Sequence, residues 1–62
     1  MNANATAILT QVNTLMTRRG IALHKITRAV MSGKYDNAEV AQLRTFVRAA
    51  TTRAAFLMSQ IS

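Results

Sequence analysis

The sequence predicts an all-α protein: a small helical bundle in which one or two N-terminal helices pack on one long C-terminal helix, with two copies pairing as a dimer. Three observations predict it. Apolar residues recur at alternating spacings of three and four on both sides of a single central turn. Proline is absent, and only two glycines punctuate 62 residues. A chain of this length buries only about 60% of the surface its unfolded form exposes. Without cysteine it has neither disulfides nor thiolate zinc sites to compensate, so helix packing with a second copy is the remaining route to stability. Half of the residues are apolar, which excludes a disordered tail, and residues 1–62 read as one domain.

The elements follow in order. Ile8, Val12, Leu15, Ala22, Ile26 and Ala29 hold one apolar seam before the turn, and Leu9, Met16, Leu23 and Val30 widen it. Arg19 falls where the seam should be apolar. Gly20 follows it, at a cost of about 1 kcal/mol relative to Ala in a helix interior. The two together predict a break, with a first helix over residues 5–18 and a second over 21–32. The alternative is one unbroken helix forming a simple hairpin. Residues 32–36 read as the central turn, because Gly33 suits a left-handed C-terminal position. Asp36 with Glu39 three residues later makes a capping-box-like helix start, where both acids also suit the helix dipole.

One long helix is then expected over residues 37–60. Val40, Leu43, Val47, Ala50, Ala54, Leu57 and Ile61 form a complete a/d seam. Ala50 and Ala54 would let another helix approach closely. Phe46, Phe56 and Met58 flank the seam and point to packing on more than one neighbour, with the two phenylalanines read as core.

Charge bounds the function. Eight Lys and Arg against two acids give a net charge of +6 and a pI near 11.7. Such a balance favours anionic partners: nucleic acid, an acidic protein surface or an anionic membrane. The plainer alternative is a soluble bundle whose charge only keeps it dispersed, since a net charge of about 2–8 is ordinary for a small domain. The longest apolar run, residues 54–58, is far below the roughly 20 residues that span a bilayer. The N-terminus lacks the basic and apolar pattern of a signal peptide, so a cytoplasmic location is expected.

The basic residues are the constellation with chemical content. Arg18, Lys25 and Arg28 recur at helical spacing away from the seam, and Arg44 and Arg48 stand at i, i+4. Arginines so placed can pair bidentately with phosphates or carboxylates. For any one of them a solvated face is the competing interpretation. His24 stands alone, with no second His, Cys or acid at zinc-ligand spacing. Nothing positions a Ser or Thr for nucleophilic attack, so no enzyme, cofactor or metal is expected. Aromatic platforms for single strands are scarce. A helix-turn-helix built on Ala29 and Gly33 is weak, because Val40 and Leu43 fall one position late. Tyr35 reads as a lid on the helix ends.

Several of these residues carry a family resemblance. Leu15-Met16, Arg18-Arg19, Arg28 with Val30, Lys34-Tyr35, and Ala49-Ala50 with Arg53, Ala55 and Leu57 together resemble the Hha/YmoA family of small nucleoid-associated modulators over about residues 15–60. One inserted residue is needed between Lys-Tyr and Ala-Ala. The resemblance implies short helices ahead of one long helix. It also implies binding to the coiled-coil region of the silencer H-NS, with Arg18, Arg19, Arg28 and Arg53 at the family's basic positions. Thr51-Thr52 stand where the family carries an acid and a His, and the family's Trp-bearing tail is absent.

Three functions are compatible with these features. The first is a modulator that docks an Arg face made of Arg18, Arg19, Lys25, Arg28, Arg44, Arg48 and Arg53 on an acidic surface of a nucleoid or transcription protein, more weakly as salt rises. The second is a dimeric nucleic-acid binder contacting phosphates. The third is a phage- or plasmid-borne adaptor or inhibitor that recognises a host protein through apolar helix faces, in a form that could dimerise into a four-helix bundle.

Overall fold

The computed structural model describes residues 3–61. It is a helical hairpin in which α1 (Ala3–Ser32, 30 residues) and α2 (Asn37–Ser59, 23 residues) pack against each other along their length. No strand occurs among the described residues.

The expected break at Gly20 is absent. α1 runs unbroken through Arg19 and Gly20, so the hairpin alternative is the one adopted, and α1 rather than α2 is the longer helix. The reason is energetic. Gly20 costs about 1 kcal/mol of helix propensity, less than would be lost by uncoupling the seam residues on either side of it. Arg19, the polar residue in that seam, finds a partner on α2 instead of ending the helix.

The turn forms as its residues require. Gly33 takes φ 70°, the left-handed conformation that costs glycine nothing, and its N–H reaches the carbonyl of Val30 at 3.2 Å. The Ser32 hydroxyl donates to the Ala29 carbonyl at 2.7 Å and accepts from the Lys34 N–H at 3.2 Å. Asp36 caps α2 from an extended conformation, its carboxylate accepting the Ala38 N–H at 2.8 Å. Glu39 lies in the first turn of α2, where its charge suits the helix dipole. At the far end, the Gln60 and Ile61 N–H groups bond back to Leu57 and Met58 in a tightened last turn.

The seam between the helices has a regular heptad order. From α1 it takes Ala5, Ile8, Val12, Leu15, Arg19, Ala22, Ile26 and Ala29; from α2 and the turn that follows it, it takes Val40, Leu43, Val47, Ala50, Ala54, Leu57 and Ile61, all buried or half-buried. Ala22, Val40, Ala50, Ala54 and Leu57 are the buried residues, so the tightest packing lies where small side chains let the backbones approach. Threonines on both helices return their hydroxyls to the carbonyl four residues back, among them Thr10, Thr14, Thr27 and Thr45, which makes a Thr-rich helix self-sufficient in hydrogen bonds.

The result is a rod of 48 × 14 × 13 Å with a radius of gyration of 14.4 Å, where a compact chain of this length would have about 11 Å. Its accessible surface is 4796 Å², against about 4,000 Å² for a compact folded chain of this mass. The helix-turn-helix reading does not survive this shape, because two helices lying side by side in a rod leave no second helix crossing the first at the motif's steep angle.

Candidate interaction surfaces

Side chains that flank the seam fall on two opposite edges, set by heptad position. On one edge α1 presents Leu9, Met16, Leu23 and Val30, one residue after every second seam position, and α2 presents Arg44, Thr51 and Met58. On the other, α1 presents Gln11, Arg18 and Lys25 with Ile21 and Arg28 just outside them, and α2 presents Phe46 and Arg53 with Phe56 beyond.

The second edge is the candidate functional surface. Arg18, Ile21, Ala22, Lys25, Leu43 and Phe46 line one shallow depression along it. Thr10, Gln11, Thr14, Leu15, Arg53 and Leu57 line another toward the open end. The Arg53 guanidinium lies 5.2 Å from the centroid of the Phe56 ring, a cation–π contact between residues one helical turn apart. Cations on this edge therefore alternate with apolar surface, an arrangement suited to an anionic partner that is itself part apolar.

The seven basic residues do not form a single face. Arg18, Lys25, Arg28 and Arg53 share the edge just described. Arg44 and Arg48 lie elsewhere on α2, beside Tyr35, Asn37, Val40, Ala41 and Thr45 around a depression near the turn. Arg48 also borders an outward-facing patch of α2 with Thr45, Ala49, Thr52, Arg53 and Phe56. Arg19 is different in kind. It occupies the seam, is half-buried, and its Nε donates to Thr51 Oγ1 at 2.7 Å. The Thr51 hydroxyl sends its own proton to the Val47 carbonyl at 2.9 Å, leaving a lone pair free for Arg19. A polar contact from a seam position to the opposite helix fixes register, since sliding the helices by a heptad would separate it.

Phe46 and Phe56, expected in the core, are 40% and 51% exposed. A two-helix hairpin has only one interface, and both rings lie outside it. The signal was present in the spacing: neither residue falls on the three–four seam of α2. Tyr35 is likewise exposed beside the turn. Among the described residues no cluster of His, Cys, Asp and Glu could hold a metal ion, and no helix is long and apolar enough to cross a membrane.

No family model, curated protein or solved structure matches the chain.

Proposed function

We propose that the protein is a non-enzymatic regulatory binding protein that modulates gene expression by docking its Arg18–Lys25–Arg28–Arg53 edge on an acidic helical surface of a nucleoid or transcription protein. The resemblance to the Hha/YmoA family makes an H-NS-like coiled coil the first partner to try. One observation carries the reading: four cations on one edge are interleaved with Ile21 and Phe46 and backed by Phe56, while the two acids of the chain sit at the turn end, at Asp36 and Glu39. A rod about 48 Å long can lie along a partner helix over many turns. Complementary charge would speed encounter and fix register, and the exposed apolar side chains would supply contact area.

Titration of the protein into an H-NS coiled-coil fragment, followed by calorimetry across a salt series, tests this. Binding should weaken as salt rises, and a combined Arg18→Ala, Arg28→Ala, Arg53→Ala variant should bind at least tenfold more weakly. Unchanged affinity in that variant would overturn the assignment of the edge.

A second reading has its own observation. Phe46 and Phe56 are exposed next to arginines, and base–aromatic stacking beside cations is how single-stranded nucleic acid is held without sequence preference. Under that reading a nuclease-treated lysate yields no retained protein, and Phe56→Ala weakens binding to an oligonucleotide as much as Arg53→Ala does.

A further inference from the structure

We infer that two copies of this chain pair through the α1 edge opposite the basic one, with α1 lying antiparallel on α1 of the second copy and the two-fold axis passing near Gly20. The inference is independent of the proposed partner, because the basic edge stays outside the contact in both copies.

Area is the first argument. The hairpin exposes about 800 Å² more than a compact chain of its mass would, and about 800 Å² per partner is what a standard stable interface buries. A repeating apolar row is the second. Leu9, Met16, Leu23 and Val30 recur every seven residues along α1 and are between 38% and 47% exposed, an apolar row along one edge of the hairpin. Around an antiparallel two-fold, Leu9 would meet Val30 and Met16 would meet Leu23, so the stripe is its own complement.

Charge supplies the third argument. Two copies each carrying +6 repel, so a self-contact must avoid bringing cations together. The stripe is apolar throughout, and the positions next to it on the outer side are Thr6, Asn13, Gly20 and Thr27, all uncharged. Arg18, Lys25 and Arg28 of α1 lie on the opposite side, whereas the Arg19 guanidinium reaches this edge through its bond to Thr51. Arg44 of α2 falls at the rim of such a contact, where a long side chain can reach water.

Gly20 is the fourth. It sits in mid-helix, where glycine is unfavourable, yet a methyl group there would have no neighbour within 4 Å. Nothing inside the hairpin accounts for a glycine. It lies beside the midpoint of the stripe, between Met16 and Leu23, where two antiparallel helices would approach most closely and a missing side chain would bring the backbones together.

Sedimentation equilibrium on the full chain should give twice the 6.8 kDa chain mass at micromolar concentration. Leu23→Lys should raise the dissociation constant at least a hundredfold. Gly20→Gln should raise it at least tenfold, although Gln is the better helix former, so loss of pairing there cannot be laid to helix propensity. Because the wild type has no cysteine, single substitutions map the contact without the need for the variant to dissociate. Gly20→Cys should oxidise to a covalent dimer, whereas Thr52→Cys on the outer side of α2 should not. A folded monomer at millimolar concentration, or efficient cross-linking through Thr52→Cys in place of Gly20→Cys, would overturn the inference.

Discussion

Arg18 and Arg19 are neighbours of identical chemistry, yet they belong to different regions of the molecule. Arg19 points into the seam, half-buried and bonded to Thr51, while Arg18 stands on an edge in water. Leu57 and Met58 repeat the contrast on α2, at 4% and 41% exposure. A helix turns by about 100° per residue, so one step along the chain moves a side chain from the seam to an edge. Residue type did not decide which region each side chain joined; heptad phase did. The seam holds the hairpin together, and the edges are free to be used.

The comparison is broken most forcefully by a charge in the seam. Leu57→Asp or Val47→Asp should cost more than about 3 kcal/mol and abolish the cooperative thermal transition seen by circular dichroism, because an unpaired carboxylate would be desolvated between the helices. Ala55→Asp, on an exposed position two residues from Leu57, should stay within about 0.5 kcal/mol of wild type. A melt in which the Leu57 variant matches wild type would remove the seam assignment.

The arginine pair gives the next largest difference. Arg19→Ala should lose about 1.5–2 kcal/mol in urea denaturation, from a charge-assisted hydrogen bond and the packing of its stem, with no loss expected from Arg18→Ala. Equal effects would mean that the Arg19–Thr51 contact does not hold the seam.

Smaller effects are expected at the turn that brings the two seams together. Asp36→Ala should cost about 1 kcal/mol through loss of the bond to the Ala38 N–H. Gly33→Ala should cost about as much, since its φ of 70° strains any residue with a Cβ. Both changes should lower the melting temperature without altering the affinity of the basic edge for an anionic partner.

Much of the hairpin was legible in the sequence for reasons that are local. The turn carries its own chemistry: a glycine for a left-handed backbone and an aspartate that caps the next helix. The seam of α2 was readable residue by residue because its spacing never misses. The course of α1 was not. Arg19 and Gly20 look like a helix end when considered alone, and the acceptance of Arg19 in mid-helix depends on Thr51, thirty-two residues away. The phenylalanines were misplaced for a related reason. An apolar ring implies burial only when there is a second layer to bury it, and the number of layers is not a property of any local segment.

The candidate edge was half legible. Helical spacing grouped Arg18, Lys25 and Arg28 from the start. That Arg53 joins them while Arg44 and Arg48 do not depends on the direction in which α2 returns along α1. An antiparallel return places like heptad positions of the two helices on the same side, which sorts cations 35 residues apart into neighbours or strangers. The amino-acid sequence by itself determined helical stretches on either side of a capped glycine turn and the phase of each apolar seam, because those follow from backbone preference and periodicity within a few turns. Tertiary packing decided that α1 stays whole, that Arg19 belongs to the interior and that Phe46 and Phe56 remain exposed. Each of those outcomes rests on contacts, or missing contacts, between residues that only the closed hairpin brings within reach.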